Sequence, residues 1–315
     1  MRSVKLRAWI KGRRQKWFCY DIWNIGVVNK DIDEICRKGR LDGVVWMPRQ
    51  RKYEFIADPF VLKNANELTV LVEQFQYVKS CKGKIARCRL APGAGQYQLQ
   101  DVLDRECHLS YPFTFWDGDI QFCIPETYEA RRCDLYRIRD TGELEFTRTL
   151  IEGVPVTDAT VFFEGGLWWL FCTDPGSAEL YVYHAETLHG AWTAHAHNPV
   201  KSDLSSSRPA GPPYRRQGNL YRPAQDCSTT YGGAVIINRV LELAPDRFRE
   251  EVVCRIRPET SGAYPHGFHT LNVLDGVCVV DGKRTVVDWA WFFRGWVFGA
   301  RSRARRRRLW RAPTA

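Results

Sequence analysis

Two aspartates in this 315-residue sequence stand at the same place in similar stretches, and they could do acid–base chemistry. Asp58 lies in "ADPFVL" and Asp158 in "DATVFF", and each stretch leads through a turn to a second apolar run. Glu126 ends the second apolar run of another such stretch. Carboxyl groups that share one pocket have pKa values driven apart, so that one can donate a proton while another accepts it. Asp58, Asp158 and Glu126 are therefore the predicted catalytic residues.

The same layout occurs five times along the chain. The opening positions are Asp58, Tyr111, Asp158, Arg208 and Gly267. The second runs end on Glu73, Glu126, Asp174, Asp226 and Asp281, at steps of 48 to 55 residues. Further strand-like runs such as "GKIARCRL" and "YQLQDVL" follow, without the i, i+3, i+4 apolar spacing of a helix. Four short strands in a repeat of about fifty residues are typical of a propeller blade.

The predicted fold class is all-β, as a five-bladed β-propeller with basic N- and C-terminal extensions. Residues 1–40 are predicted to lead into the propeller, 41–288 to form it, and 289–315 to be an aromatic and Arg-rich tail. A chain that lends an early strand to its last blade closes the ring and removes an exposed sheet edge. The run "DGVVWMP" precedes the first complete repeat. The alternative fold is an unclosed all-β sandwich.

Ring closure would direct the opening positions of all blades into one axial funnel. Around the carboxylates, the predicted substrate-binding residues are Tyr111, Arg208, Arg222, Gln225, Asp226, Tyr231, His266, His269 and Lys283. The two tyrosines offer flat faces for sugar rings. The two arginines and the lysine suit a donor phosphate, because charge-assisted hydrogen bonds to phosphate need such cations.

A structural alternative applies to these polar residues: Asp58 and the proline after it would shape a turn, and the other acids would cap strands. No cofactor and no metal are predicted, since His195 and His197 lack further ligands at usable spacing. The eleven cysteines are scattered without a C-x-x-C pair and are expected to be free thiols in strands. The N-terminal stretch has no apolar signal-peptide core, so a cytoplasmic location is predicted.

Positive charge is concentrated at the two ends of the chain. Of the net charge of +10, residues 1–20 and 288–315 each contribute +7, which leaves −4 for the rest. The propeller is therefore not expected to bind nucleic acid, which needs positive charge on the folded face.

The stretch "WAWFFRGWVFGARSRARRRRLWR" mixes tryptophans with arginines, and its apolar part is too short to span a bilayer. This composition predicts a peripheral anchor on an anionic membrane, at its inner face. A solvated basic tail and a nucleic-acid patch are the alternatives.

The stretches "FIADPFVL", "HLSYPFTF", "VTDATVF", "LYRPAQDCSTTYGGAVIINRV" and "YPHGFHTL" carry a family resemblance over most of residues 20–287. In order and spacing they resemble the N-terminal domain of glucosamine inositolphosphorylceramide transferase and its stand-alone bacterial relatives. More distantly, the chain is similar to the five-bladed propellers of family 43 glycoside hydrolases. This second resemblance implies that Asp58 is the base and Asp158 the residue that modulates the pKa. The family's acid, a later Glu, has no counterpart at a strand end after Asp158.

Three functions are expected from these observations, and a sugar or glycolipid is the substrate or ligand in each. The first is sugar transfer by the funnel carboxylates, in glycan or glycolipid assembly at the cytoplasmic membrane face. The second is a non-catalytic glycan-binding scaffold that partners a separate glycosyltransferase, since the plant relatives carry their transferase fold in a separate C-terminal domain. The third is glycoside hydrolysis, which the missing late Glu disfavours.

Overall fold

The computed structural model describes residues 18–62, 68–90, 97–177 and 179–311. Residues 1–17 of the predicted basic N-terminal segment and 312–315 of the predicted tail lie outside them. The described chain begins with strand β1 (Cys19–Val28), helix α1 (Ile32–Lys38) and the short strands β2 (Arg40–Leu41) and β3 (Val45–Trp46).

Three consecutive antiparallel sheets follow, each built from one repeat of the sequence. Blade I contains β4 (Glu54–Leu62), β5 (Thr69–Gln76), β6 (Gly83–Arg89) and β7 (Leu99–Leu103). Blade II contains β8 (Ser110–Asp117), β9 (Ile120–Glu126), β10 (Arg132–Ile138) and β11 (Leu144–Glu152). Blade III contains β12 (Thr157–Glu164), β13 (Leu167–Thr173), β14 (Glu179–Ala185), β15 (Thr193–Ala194) and β16 (Lys201–Ser202).

The last two sheets use strands from the start of the chain as well. Blade IV contains β17 (Tyr214–Arg216), β18 (Asn219–Asp226), β19 (Ala234–Ala244) and β20 (Arg247–Pro258), with β2 added in parallel at its edge. Blade V has the order β21 (Leu271–Leu274), β22 (Val277–Val287), β1 and β3. The structure is thus the predicted five-bladed propeller.

The ring is closed by β1, which pairs with β22 along its whole length, from Cys19 opposite Val287 to Val28 opposite Cys278. The strand predicted from "DGVVWMP" contributes only the short β3 at the outer edge. The predicted propeller boundary at residue 41 is therefore wrong, because among the described residues the sheets already include Cys19–Val28.

Helix α1 lies between the strands lent to blades V and IV. Asp31 caps its first turn, Gly39 ends it with a φ of 60°, and its buried residue Ile35 faces blade IV. Cys36 of this helix forms a disulfide with Cys254 of β20, their Cα atoms 5.6 Å apart. The expectation that all cysteines are free thiols is therefore wrong for this pair.

The C-terminal stretch folds as a second helix, α2 (Trp291–Arg311), packed on the propeller. The Asp288 side chain accepts the Ala290 N–H at 3.1 Å at its start. Trp291 is 5% exposed, with its ring 4.9 Å from that of Tyr20 and 5.0 Å from that of Tyr77. None of the helices in the described ranges is long and apolar enough to cross a membrane.

Candidate functional site

A β-bulge recurs where the first strand of a blade begins, in blades I, II and III. The bulged residues Asp58, Tyr111 and Asp158 have φ angles of 51°, 41° and 52°. Left-handed backbone is strained for residues other than glycine, and strain of this kind is concentrated at functional sites. The bulges occupy the opening positions of the sequence repeat, so their residues meet around the propeller axis.

Carboxylates accept the backbone N–H groups of the bulged residues across the blade boundaries. An oxygen of Asp281 accepts the Asp58 N–H at 3.3 Å, and Asp58 in turn accepts the Tyr111 N–H at 3.1 Å. Glu126 accepts the Asp158 N–H at 3.0 Å. A buried N–H without a partner would be costly, so these carboxylates stabilise the bulges as well as lining the axis.

His269 joins Asp58 and Asp281 into one buried group. Its Nδ1 lies 2.6 Å from Asp281 Oδ2 and 3.6 Å from Asp58 Oδ1, and that second oxygen also accepts the Thr270 hydroxyl at 2.8 Å. Burial opposes a charge on the imidazole, but the two carboxylates outweigh it and raise the pKa of His269. Trp23 of β1 stacks on the ring with centroids 3.9 Å apart.

Asp158 is held by a cation and an amide on blade IV. The Arg208 guanidinium is ion-paired with its carboxylate and lies 5.1 Å from the ring centre of Tyr231. The Gln225 amide nitrogen donates to Asp158 at 3.4 Å and to the Pro209 carbonyl at 2.9 Å. Tyr231 is 47% exposed, so its ring can meet a ligand that enters the funnel.

Glu126 combines this anchoring role with an unusual titration. Burial, and then the charge of Asp158, raise its pKa to about 8, against the opposing effect of Arg208. Glu73, at the equivalent strand end of blade I, also has its pKa raised by burial and by Asp58. The axis therefore holds one carboxyl, Glu126, with a pKa raised to about 8 beside the Asp158–Arg208 ion pair.

Two predicted binding residues are built into the protein interior instead of the funnel. Tyr111 is fully buried, and its hydroxyl bonds to Thr160 at 3.0 Å and accepts the Gly211 N–H at 2.8 Å, so it offers no face to a sugar. Arg222 is 1% exposed and forms a two-point ion pair with Glu250. It is not available to a donor phosphate.

Lys283 and His266 lie at the side of the funnel. Lys283 is buried and donates to the Thr230 hydroxyl at 3.1 Å and to the Tyr231 carbonyl, and burial lowers its pKa. It supports the backbone of the Tyr231 loop. His266 is exposed, with its Nδ1 accepting the Thr285 N–H at 2.8 Å.

The predicted acidic strand ends of blades III and IV are displaced by one residue. Asp174 accepts turn N–H groups, and Asp226 pairs with Arg255 away from the axis. Thr173 and Gln225 occupy the positions that Glu126 occupies in blade II. At those two positions the ring therefore has a hydroxyl and an amide where blades I and II have carboxyls.

Sequence reasoning did not select Trp23, Thr270 or Asp281 as site residues. Trp23 was assigned to the N-terminal segment, although "CYDIWNIGVV" is a β-branched and aromatic run that indicates a strand. Asp281 was recognised as a strand end, and its position in the repeat was the signal for its axial role.

Asp58, His269 and Asp281 also form the cluster, among the described residues, that could hold a metal ion. Their ligand atoms lie within 4.8 Å of one another and all three residues are buried. An imidazole with two carboxylates is a donor set that divalent cations use. In this structure His269 Nδ1 and Asp281 Oδ2 contact each other directly, at 2.6 Å.

The sheet topology defines a class by fold, the five-bladed β-propellers. An exo-β-1,3-galactanase from Clostridium thermocellum matches 66% of this chain and 52% of its own, with a TM-score of 0.53 and 12% identity. The catalytic domain of a GH62 α-L-arabinofuranosidase from Coprinopsis cinerea matches 72% of this chain and 79% of its own, with a TM-score of 0.52 and 13% identity. At such identities the likeness concerns the fold.

Within that class, the chain belongs to the family described as glucosamine inositolphosphorylceramide transferase 1, N-terminal, whose model matches residues 47–275. A relative of that name from Oryza sativa subsp. japonica is 32% identical over 250 residues, covering 73% of this chain and 33% of the relative. One from Arabidopsis thaliana is 26% identical over 249 residues, covering 73% and 32%. The chain thus spans about a third of the length of these relatives.

Proposed function

We propose that this propeller acts on a sugar headgroup in glycolipid assembly, with its axial carboxylates as acid and base. The observation that supports this most is Glu126, with a pKa raised to about 8, beside the Asp158–Arg208 pair. A carboxyl that keeps its proton at neutral pH can protonate a departing oxygen, while an ionised neighbour accepts a proton.

In the proposed transfer, an acceptor hydroxyl forms a bond to the anomeric carbon of the sugar, and the bond from that carbon to its former oxygen breaks. Asp58 takes the proton of the acceptor hydroxyl, and Glu126 gives its proton to the departing oxygen. Arg208, about a fifth exposed, balances a phosphate on the substrate, and Tyr231 stacks on the sugar. The relatives' name, with glucosamine and inositolphosphorylceramide in it, supports a phosphorylated glycolipid as the substrate class.

A second candidate is a non-catalytic glycan-binding propeller that serves a separate glycosyltransferase. The observation that favours it is that Asp58, Asp158 and Glu126 are only 3–6% exposed and each anchors a neighbouring blade or cation. Glycoside hydrolysis is the third. It is disfavoured by Gln225, an amide at an axial position where a late acidic residue would be needed.

These functions are distinguished by incubating the purified protein with inositolphosphorylceramide micelles and a panel of nucleotide sugars that includes activated glucosamine and N-acetylglucosamine. Transfer gives a glycosylated lipid, and Asp58→Asn abolishes it. Hydrolysis instead releases free sugar from a glycosylated lipid without a donor. Binding of the glycosylated lipid without turnover, in the wild type and in Asp58→Asn alike, would replace the transferase proposal with the binding module.

The proposed location is the cytoplasmic face of the membrane, as the sequence predicted. The cytosol keeps thiols reduced. The Cys36–Cys254 disulfide of the structure runs against this location, and a cytoplasmic protein taken from cells should show both cysteines as thiols on alkylation and mass spectrometry. An intact disulfide between them would place the chain on the oxidising side instead.

A further inference from the structure

Helix α2 has one face on the propeller and an opposite face in solvent. Trp291, Phe298 and Arg305, spaced seven residues apart, form the inner face. Phe298 packs on Tyr77 at 5.4 Å, and Arg305 is ion-paired with the buried Glu129.

The outer face is aromatic in its first half and cationic in its second. Its residues, at steps of three or four, are Phe293, Trp296, Ala300, Arg303 and Arg307. This spacing places them on one side of a helix. Phe293 and Trp296 are each 74% exposed, as is Trp289 just before the helix. Arg303 and Arg307 are exposed and form no ion pair within the described part of the chain. A contiguous group of exposed aromatic side chains marks an interaction surface.

The helix lies at the end of the propeller where the funnel opens. Tyr53, five residues before Asp58, and Tyr77, four residues after Glu73, both contact Trp291. The short 3-10 helix Tyr128–Ala130, directly after Glu126, contacts the second half of α2 through the hydrogen bond from Arg306 to the Tyr128 hydroxyl. A partner surface that binds the outer face of α2 therefore also lies opposite the mouth of the funnel.

A cleft of about 880 Å³ lies between the cationic half of α2 and blades I and II. Arg301, Arg305, Arg308, Lys82 and Arg105 line it, together with two acidic residues. The excess of cations is complementary to anionic headgroups.

We propose that the outer face of α2 inserts its aromatic residues into the headgroup region of an anionic membrane and so turns the mouth of the funnel toward the lipid surface. Trp favours the membrane interface, and arginines beside it are attracted to an anionic leaflet. The long arginine side chains keep their charge at headgroup level while the aromatic rings sink deeper. The inference rests on the proposed function in one respect, since it gives a lipid-linked sugar its route into the funnel.

The test uses the full protein and vesicles of phosphatidylcholine with and without phosphatidylserine, free of glycolipid. Membrane docking can then fail while the carboxylates still act on a soluble headgroup, or docking can occur while the carboxylates do not act, so the two proposals fail separately. The paired substitution Arg303→Ala, Arg307→Ala should weaken binding to anionic vesicles roughly thirtyfold, because the loss of each cation near such a surface weakens binding roughly fivefold to sixfold. Phe293→Ala with Trp296→Ala should weaken it at least tenfold. The control Phe163→Ala removes a ring that is 56% exposed at the opposite end of blade III, and should bind as the wild type does.

Orientation is tested on the wild type by hydrogen exchange with and without anionic vesicles. Exchange should slow in α2 and in the Tyr231 loop, and should stay unchanged in the turn at Gly165–Gly166 between β12 and β13. Equal binding by all variants, equal binding to both vesicle types, or protection of that turn would overturn the proposal. So would binding to RNA that depends on Arg303 and Arg307 while vesicles are ignored.

Discussion

Glu126 holds the Asp158 backbone in place and keeps its own proton at neutral pH, and the second property destabilises the fold. A buried carboxyl with a folded-state pKa of about 8 releases its proton in the unfolded chain at a pH near 4.5. Between these values the folded state binds more protons than the unfolded state. The stability that this proton uptake contributes is present below pH 4.5 and is lost as the pH rises toward 8.

Glu126→Gln should therefore stabilise the protein at neutral and alkaline pH. The amide oxygen can still accept the Asp158 N–H, and the amide does not ionise. At pH 8 we expect the free energy of unfolding of the variant to exceed that of the wild type by a few kcal/mol, the order of magnitude that the pKa shift of Glu126 implies. Near pH 4 the two free energies should be equal. Thermal unfolding across this pH range is the measurement. A variant less stable than the wild type at pH 8 would show that Glu126 is not a strained, protonated group.

At the residue scale, the sequence predicts which residues occupy the same position in different repeats. It does not predict on which face of a strand a side chain lies. Asp58 and Asp158 were found because two blades place the same residue type at the same bulge. Arg222 and Gln225 are three positions apart on β18, so their side chains point to opposite faces, and only Gln225 faces the axis. The pattern of apolar and polar residues does not show which face of the strand points to the propeller axis. A register error of one residue exchanges the two faces.

At the scale of the element, α2 is part of the folded propeller as well as a surface feature. Trp291 is enclosed by the rings of Tyr20, Tyr53 and Tyr77, whereas Trp289, two residues earlier, is 74% exposed. Trp291→Ala should lower the free energy of unfolding by about 3 kcal/mol, because it leaves a cavity among aromatic rings. Trp289→Ala is the matched control and should change it by less than about 0.5 kcal/mol. Denaturant unfolding compares them, and equal effects would mean that α2 does not pack as described.

The helix could be predicted only in part. The sequence places tryptophans beside arginines, and this composition predicts a tail attached to the propeller but not a helix packed on it. The seven-residue spacing of Trp291, Phe298 and Arg305 was legible in the sequence, but the propeller surface that receives them is assembled from β1, blade I and blade II. Contacts between such distant segments are not visible in a local pattern.

At the scale of the whole molecule, the N-terminal strand holds the ring together. β1 pairs with ten of the eleven residues of strand β22. Its residues Tyr20, Ile22 and Trp23 belong to the apolar cluster that also contains Trp291. The five repeats predicted the number of blades. They did not predict this strand, since it is separated from its blade by more than 200 residues and carries no opening marker.

A fragment that begins at residue 41 should consequently fail to fold, while one that begins at residue 18 should fold. Loss of β1 exposes the edge of β22, and an exposed edge strand pairs with other chains. Circular dichroism and size-exclusion chromatography of the two fragments check this. A monomeric, cooperatively folded fragment from residue 41 would mean that the ring closes without β1.

In the proposed function, axial carboxylates of this propeller act chemically on a sugar, and the rate of product formation by Glu126→Gln is the sharpest measurement of that role. Glycosylated lipid is quantified by mass spectrometry for the wild type, for Glu126→Gln and for Glu143→Gln, a control at an exposed turn. We expect Glu126→Gln to lose at least about a hundredfold in rate, the usual contribution of a general acid, in a protein that is still folded. The control should keep the wild-type rate, and the wild-type rate should fall as the pH rises through about 8. Product formation by Glu126→Gln at the wild-type rate would contradict the account and leave Glu126 as a residue that only holds the blades together.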